Sequence, residues 1–142
     1  MTTTVTSTTP VTGPRSGEEV LQRVLAAFGA GDMEEVARWF RPDVVVQQAD
    51  SLPYGGEHKG QDQFRGMLGK IGQTFDLQTH AYQICDAGDV AVLRLDLTFT
   101  ARSTGRSARV PSVELYTFSA GLIGSVEVFY RDTKAVVELL DT

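Results

Sequence analysis

Cysteine and histidine are nearly missing from this sequence. Its 142 residues hold one cysteine, Cys85, and two histidines, His58 and His80. A single cysteine excludes an intrachain disulfide and any thiolate-rich metal site. Two histidines without ligand spacing form no first coordination shell, so no metal is expected. Positive charge is also short: 13 Lys and Arg against 18 Asp and Glu give a net charge of -5. Nucleic acid and anionic membranes are therefore poor partners. No apolar run reaches the length of a membrane span. The opening MTTTVTSTTPVTGPR is rich in Thr and Pro and lacks the apolar core of a secretory signal. Residues 1–15 are expected to form a disordered tail on a cytoplasmic protein. Nucleophile elbow, phosphate loop, dinucleotide fingerprint and Ser-His-Asp order are all lacking, and no cofactor is expected.

What is present is one domain's worth of apolar residues, 42% of the chain. Over residues 16–142 that suffices for a core without staples. Ser16 and Glu19 form a capping box, and Val20, Leu21, Val24, Leu25 and Phe28 then recur at helical spacing. Asp32 and Glu35 repeat the box for a second helix, which Pro42 is expected to end. A β-branched strand follows over 43–49. The turn-rich DSLPYGGEHKG reads as a loop. Phe64, Met67, Leu68 and Ile71 mark a third helix. Its Gly66, Gly69 and Gly72 suggest close packing on a sheet, or fraying. Strands at 76–85, 90–100, 109–118 and 123–131 are separated by short turns. Asp132 then caps a terminal helix. The order is ααβαββββ plus a C-terminal helix, an α+β domain with an antiparallel sheet and helices on one face.

Within this pattern, AAFGAGDMEEVARWF and the closing GLIGSVEVFYRDTKAVVELL resemble the nuclear transport factor 2-like superfamily. The likeness runs over residues 17–140 and points to its SnoaL-like and ketosteroid isomerase-like branch. It implies a cone-shaped, cystatin-like curved sheet wrapped by helices around an apolar pocket, usually in a homodimer. Leu93, Leu95, Leu97 and Phe99 would then face inward, with Arg94, Asp96 and Thr98 on the outer, dimer-forming face. Val126, Val128 and Tyr130 would face in, and Glu127 out. Glu114 falls where the isomerases place the acid of their oxyanion hole. Their catalytic Asp and Tyr correspond here to Gln48 and Val24, so that mechanism is not carried over whole. Asp132 lies near the catalytic Asp of the cyclases but one residue out of register, where it serves as a helix cap.

Alternation across PSVELYTF places Ser112, Glu114, Tyr116 and Phe118 on one face. A carboxylate turned into an apolar cavity has a raised pKa and suits proton transfer. The expected catalytic residues are Glu114, Tyr116 and Tyr130. Glu114 could instead be held in an ion pair with Arg109 or Arg131, and the two tyrosines could simply line the cavity. Gln48, Tyr54, Leu95, Leu97, Phe99, Ser112, Val126 and Val128 are expected to bind substrate. The implied function is cofactor-independent isomerisation, cyclisation or hydro-lyase chemistry on a small hydrophobic carbonyl compound or polyketide-type metabolite of secondary metabolism. A non-catalytic carrier or sensor, or a protein-interaction module of the same fold, stands as the alternative.

Overall fold

Ser16 opens the first helix by the route its sequence implies: its hydroxyl accepts the Glu19 N–H at 3.1 Å. Helix α1 (Gly17–Gly29) then buries Val20, Leu21 and Val24. Asp32 caps α2 (Met33–Arg38) through the Glu35 N–H. The computed structural model describes residues 16–142, and the expected tail, 1–15, lies outside the described residues. After α2 come β1 (Phe40–Gln48), β2 (Gly56–Lys59) and α3 (Gly60–Thr74). The long meander β3 (Phe75–Asp86), β4 (Val90–Ala101), β5 (Ser107–Ser119) and β6 (Leu122–Tyr130) follows, closed by α4 (Thr133–Glu138).

The six strands form one curved sheet in the order β2-β1-β6-β5-β4-β3. Three features differ from the sequence expectation. First, β2 is a real edge strand, paired antiparallel to β1 from Val45↔Lys59 to Gln48↔Gly56. Four residues without apolar alternation carry no strand signal of their own. Second, β1 and β6 run parallel, Val46 beside Val126, so the sheet is mixed. Short turns dictate antiparallel pairing only for consecutive strands. Third, Pro42 lies inside β1 rather than just past a helix. It sits where the pairing shifts between Phe40 and Val45, and its missing N–H interrupts no ladder there.

Sheet faces follow the alternation. On β4, Ala91, Leu93, Leu95, Leu97, Phe99 and Ala101 are buried, while Arg94 is exposed and Asp96 and Thr98 are half-buried. The helices add Val24, Val36, Phe64, Met67 and Val136 to the same core. The opposite face stays uncovered: Arg94, Glu127 and Phe129 are exposed.

Helix α3 corrects the reading of its glycines. It is regular over fifteen residues, with Phe64 and Met67 buried. Gly66, Gly69 and Gly72 are exposed, and a methyl group at any of them would meet nothing within 4 Å. They are not close-packing contacts. Glycine inside a helix costs about 0.5–1 kcal/mol relative to alanine. Gly66→Ala, Gly69→Ala and Gly72→Ala should therefore each stabilise the fold by about that amount, read as a higher urea midpoint with unchanged slope. A loss at any one position would reveal a contact that the open helix face does not contain.

Candidate functional site

The strand register builds the inner face row by row. One row carries Ala91, Tyr116, Val126 and Val46 on β4, β5, β6 and β1. The next carries Leu93, Glu114 and Val128, with Gln48 following the Gln47↔Glu127 pair. The third carries Tyr82, Leu95, Ser112 and Tyr130. Glu114 thus sits at the centre of an apolar patch, flanked by Leu93 and Val128 across the sheet and by Ser112 and Tyr116 along its own strand. Leu95 and Val126 are diagonal neighbours. Leu97 pairs with Val110 and Phe99 with Ala108, one and two rows further from Glu114, where both are core residues.

Among the described residues Glu114 makes no ion pair. Arg109 instead grips Asp96 on the outer face with two hydrogen bonds, 2.9 Å from Nε and 2.6 Å from Nη2. That pairing holds the Asp96 carboxyl below the usual carboxylate range. The partner of Glu114 is Tyr116, whose hydroxyl donates to Oε1 at 2.5 Å. Burial among apolar side chains pushes the Glu114 carboxyl above its ordinary value, and the Tyr116 hydrogen bond partly offsets this. Burial, then the nearby carboxylate charge and the shared hydrogen bond, raise Tyr116 far above an ordinary phenol. Tyr116 therefore remains a proton donor. Residue Glu114 is itself half-buried, as are Val128 and Tyr130, whereas Leu93, Tyr116 and Ser112 are buried.

A second polar pair lies beside it. The hydroxyls of Tyr54 and Tyr130 are 2.8 Å apart. Burial, partly offset by the Tyr130 bond, pushes Tyr54 up to about 12, and burial raises Tyr130 further still. Both stay protonated at neutral pH, and one proton of the pair is free to be donated outward. The path of LPYGG positions Tyr54. Gly56 takes φ +92, and a side chain on Gly55 would strike the Ala49 carbonyl oxygen at 2.3 Å. The Tyr54 carbonyl is 2.8 Å from His58 Nε2. The loop is closed down, with Tyr54 buried, rather than standing over an open mouth.

Gln48 and Ser112 are the two buried polar side chains of this face, at 8% and 3% exposure. Among the described residues Gln48 Oε1 and Ser112 Oγ have no hydrogen-bond partner. The Gln48 amide donates from Nε2 to Met67 Sδ, a weak acceptor, at 3.7 Å. An unpartnered buried polar atom costs about 1–3 kcal/mol. Met67 and the Tyr54–Tyr130 contact were not foreseen from sequence, since their partners lie far along the chain.

Asp132 accepts the Ala135 N–H at 3.0 Å and caps α4. Among the described residues no three His, Cys, Asp or Glu side chains cluster as metal ligands, and no helix is long and apolar enough to cross a membrane. An open depression of about 610 Å³ lies on the outer face. Gln83, Arg94, Asp96, Val113, Phe129 and Arg131 line it, together with Tyr82, Leu95, Ser112 and Tyr130 of the third inner-face row.

Comparison with known proteins bears on the whole arrangement. The model of a family described as SnoaL-like domain matches residues 21–126. No curated protein matches. Among solved structures, an NTF2-like protein of unknown function from Burkholderia pseudomallei superposes with a TM-score of 0.80 at 23% identity, covering 88% of this chain and 97% of that one. TerC, co-crystallised with polyporic acid, gives a TM-score of 0.79 at 22% identity over 88% and 98% of the two chains. A candidate polyketide cyclase from Pseudomonas putida gives 0.75 at 17% identity over 86% and 96%. At these identities the structural likeness establishes the fold.

Proposed function

The chain belongs to the SnoaL-like domain family, and from that premise we propose that it moves protons next to the carbonyl of a small hydrophobic compound, as an isomerase or cyclase. The observation that carries this reading is the Glu114–Tyr116 pair. It is a carboxyl with a raised pKa, fixed through one oxygen by the Tyr116 hydroxyl, in an apolar setting. In the ionised form, Oε2 takes a proton from the carbon next to the carbonyl. The electron pair moves onto the carbonyl oxygen and gives an enolate. Returning the proton to another carbon isomerises the compound. Attack of the enolate carbon on a second carbonyl closes a ring. The spare proton of the Tyr54–Tyr130 pair is the donor that steadies the enolate oxygen. Neither step needs a cofactor. The candidate cyclase among the structural neighbours favours the same reaction type.

Deuterium exchange at the methyl group of acetophenone in D2O, followed by NMR, tests this. Exchange should exceed the buffer rate and rise with pH through an inflection above the ordinary 4.5 of a free Glu. No exchange above buffer on acetophenone or its ring-substituted analogues would leave a non-catalytic pocket. That second reading is favoured by Gln48 and by the buried Val24, which occupy positions where the isomerases carry functional groups.

The uncovered outer face is proposed to seat a second copy of the chain. Phe129 is 52% exposed there, flanked by charges of both signs, Arg94 and Glu127. Light scattering at micromolar concentration should give twice the chain mass, and Phe129→Asp should reduce it to one. A monomer throughout that range would exclude the pairing.

A further inference from the structure

On β6 the residues Glu127, Phe129 and Arg131 follow one another along the outer face, each roughly 7 Å from the next. Pairing with β5 runs one residue past the end of the strand, where the Arg131 N–H donates to the Pro111 carbonyl at 2.9 Å. Arg131 lines the outer depression beside Phe129. Phe129 is 52% exposed, the most of any large apolar side chain among the described residues. Val113 lies directly across from it on β5, with Leu115 and Pro111 on the diagonals. An acid, an apolar centre and a base thus stand in line.

Nearby charges are answered within the chain. Asp96 is held by Arg109. Arg94 donates to Gln83 Oε1 at 3.3 Å, and Glu57 takes Gln47 at 3.1 Å and Lys59 at 3.5 Å. The side chains of Glu127 and Arg131 have no hydrogen bond or ion pair among the described residues.

Two copies with a net charge of -5 each repel, so a face that pairs needs opposite charges set against each other locally. A two-fold axis at Phe129, lying between the sheets and at right angles to β6, meets this need. It sets the two β6 strands antiparallel and face to face, with each Phe129 on the axis. The base of one stripe then lies over the acid of the other. Stacked sheets are about 10 Å apart, a gap that an arginine and a glutamate side chain span together. Arg94 shares the row of Phe129 and Val113. It stands about 10 Å from β6, and a crossing of about 30° between packed sheets sets it roughly 5 Å off its own copy.

We infer that the second copy sits with its β6 antiparallel across Phe129, so that Arg131 of each protomer meets the partner's Glu127. The inference rests on the reading that the outer face seats a second copy, and adds the register and the contacts that fix it.

Sedimentation equilibrium on the full chain gives the dimer dissociation constant of each variant. Glu127→Arg and Arg131→Glu each turn two attractions into two repulsions and should weaken the dimer about tenfold or more. The double exchange, E127R with R131E, restores both contacts with their signs reversed. It should return to within about threefold of the wild type. An equal mixture of the two single variants should also pair, since each then meets its opposite. Both sites are exposed, so circular dichroism should not change. Phe129→Asp reads the face separately. Suppose that variant is monomeric while the single variants pair like the wild type, or while the double exchange stays as weak as the singles. The register is then overturned and the reading of the face stands. A monomeric wild type, or a dimer that survives Phe129→Asp, overturns both.

Discussion

Glu114→Gln is expected to lower α-proton exchange on acetophenone by about a hundredfold or more while the protein stays folded. The amide has the carboxyl's shape, and its Oε1 can still accept the Tyr116 hydroxyl that now binds Glu114 at 2.5 Å. What it loses is the ability to take a proton. The stability of the variant carries an independent sign. Burial raises the Glu114 pKa in the folded chain above its unfolded value. The folded state therefore holds the proton more tightly, and its advantage is complete below the unfolded pKa. That advantage is lost as pH rises through the folded pKa, because ionising the group in place costs desolvation. The Gln variant does not titrate there. Its melting temperature should gain on the wild type as pH rises above 4.5, the ordinary value of a free Glu, with the difference growing through the folded pKa. Tyr116→Phe acts oppositely on the chemistry. It removes the hydrogen bond that lowers the Glu114 pKa, so the exchange inflection should move to higher pH. A well-folded Gln variant with wild-type exchange would end the catalytic role. A melting difference that stays flat with pH would show that the carboxyl is solvated rather than enclosed, and one that shrinks would show that the fold stabilises its ionised form.

Most of the fold was legible in local patterns. The family resemblance turned Leu93, Leu95, Leu97 and Phe99 inward, the side buried on β4, and the capping boxes placed Ser16 and Asp32 at the helix starts seen here. Helix caps are local signals, and the side-chain period of a strand leaves little freedom once one face is apolar. The parts that were not legible depend on partners far apart in sequence. GEHK becomes a strand only because the edge of β1 is free to pair with it. The parallel β1–β6 contact joins segments about 80 residues apart, and no turn signals it. The glycines of α3 look like a packing stripe, yet the helix meets the core through Phe64 and Met67 on its other side.

The candidate site shows the same division. Alternation put Glu114 on one face with Ser112 and Tyr116, and the family resemblance turned that face inward. Neither could say that Tyr116 would claim the carboxyl, that Arg109 would be taken by Asp96, or that Tyr130 would be joined to a tyrosine 76 residues away. Side-chain pairing is decided by reach and competition among neighbours on several strands, and one strand's sequence holds only one side of it. The Gln48 and Ser112 orphans are visible only when every competing partner has been placed.

Phe99→Ala should cost about 3–5 kcal/mol, the largest stability loss expected of any substitution near the site. Phe99 is fully buried on β4. Its ring meets Phe75 edge-on at 5.5 Å and Tyr130 at 5.0 Å. Phe75 meets Tyr54 at 6.3 Å, and the Tyr54 and Tyr130 hydroxyls close the circuit at 2.8 Å. Four rings from β3, β4, β6 and the loop before β2 therefore support one another. Alanine at 99 deletes two aromatic contacts, each worth about 0.5–1.5 kcal/mol beyond burial, and leaves a cavity that the sheet backbone cannot collapse to fill. Against a total of about 5–15 kcal/mol this is a large share, and the melting temperature should fall by on the order of ten degrees or more. Tyr54→Phe provides the control. It keeps the ring and its packing and removes one hydroxyl contact, a loss of about 1 kcal/mol. Urea unfolding of the two variants compares the effects on one scale. Should Phe99→Ala cost no more than Tyr54→Phe, the ring circuit does not hold this end of the core. The positioning of Tyr130 beside Glu114 would then have to come from β6 alone.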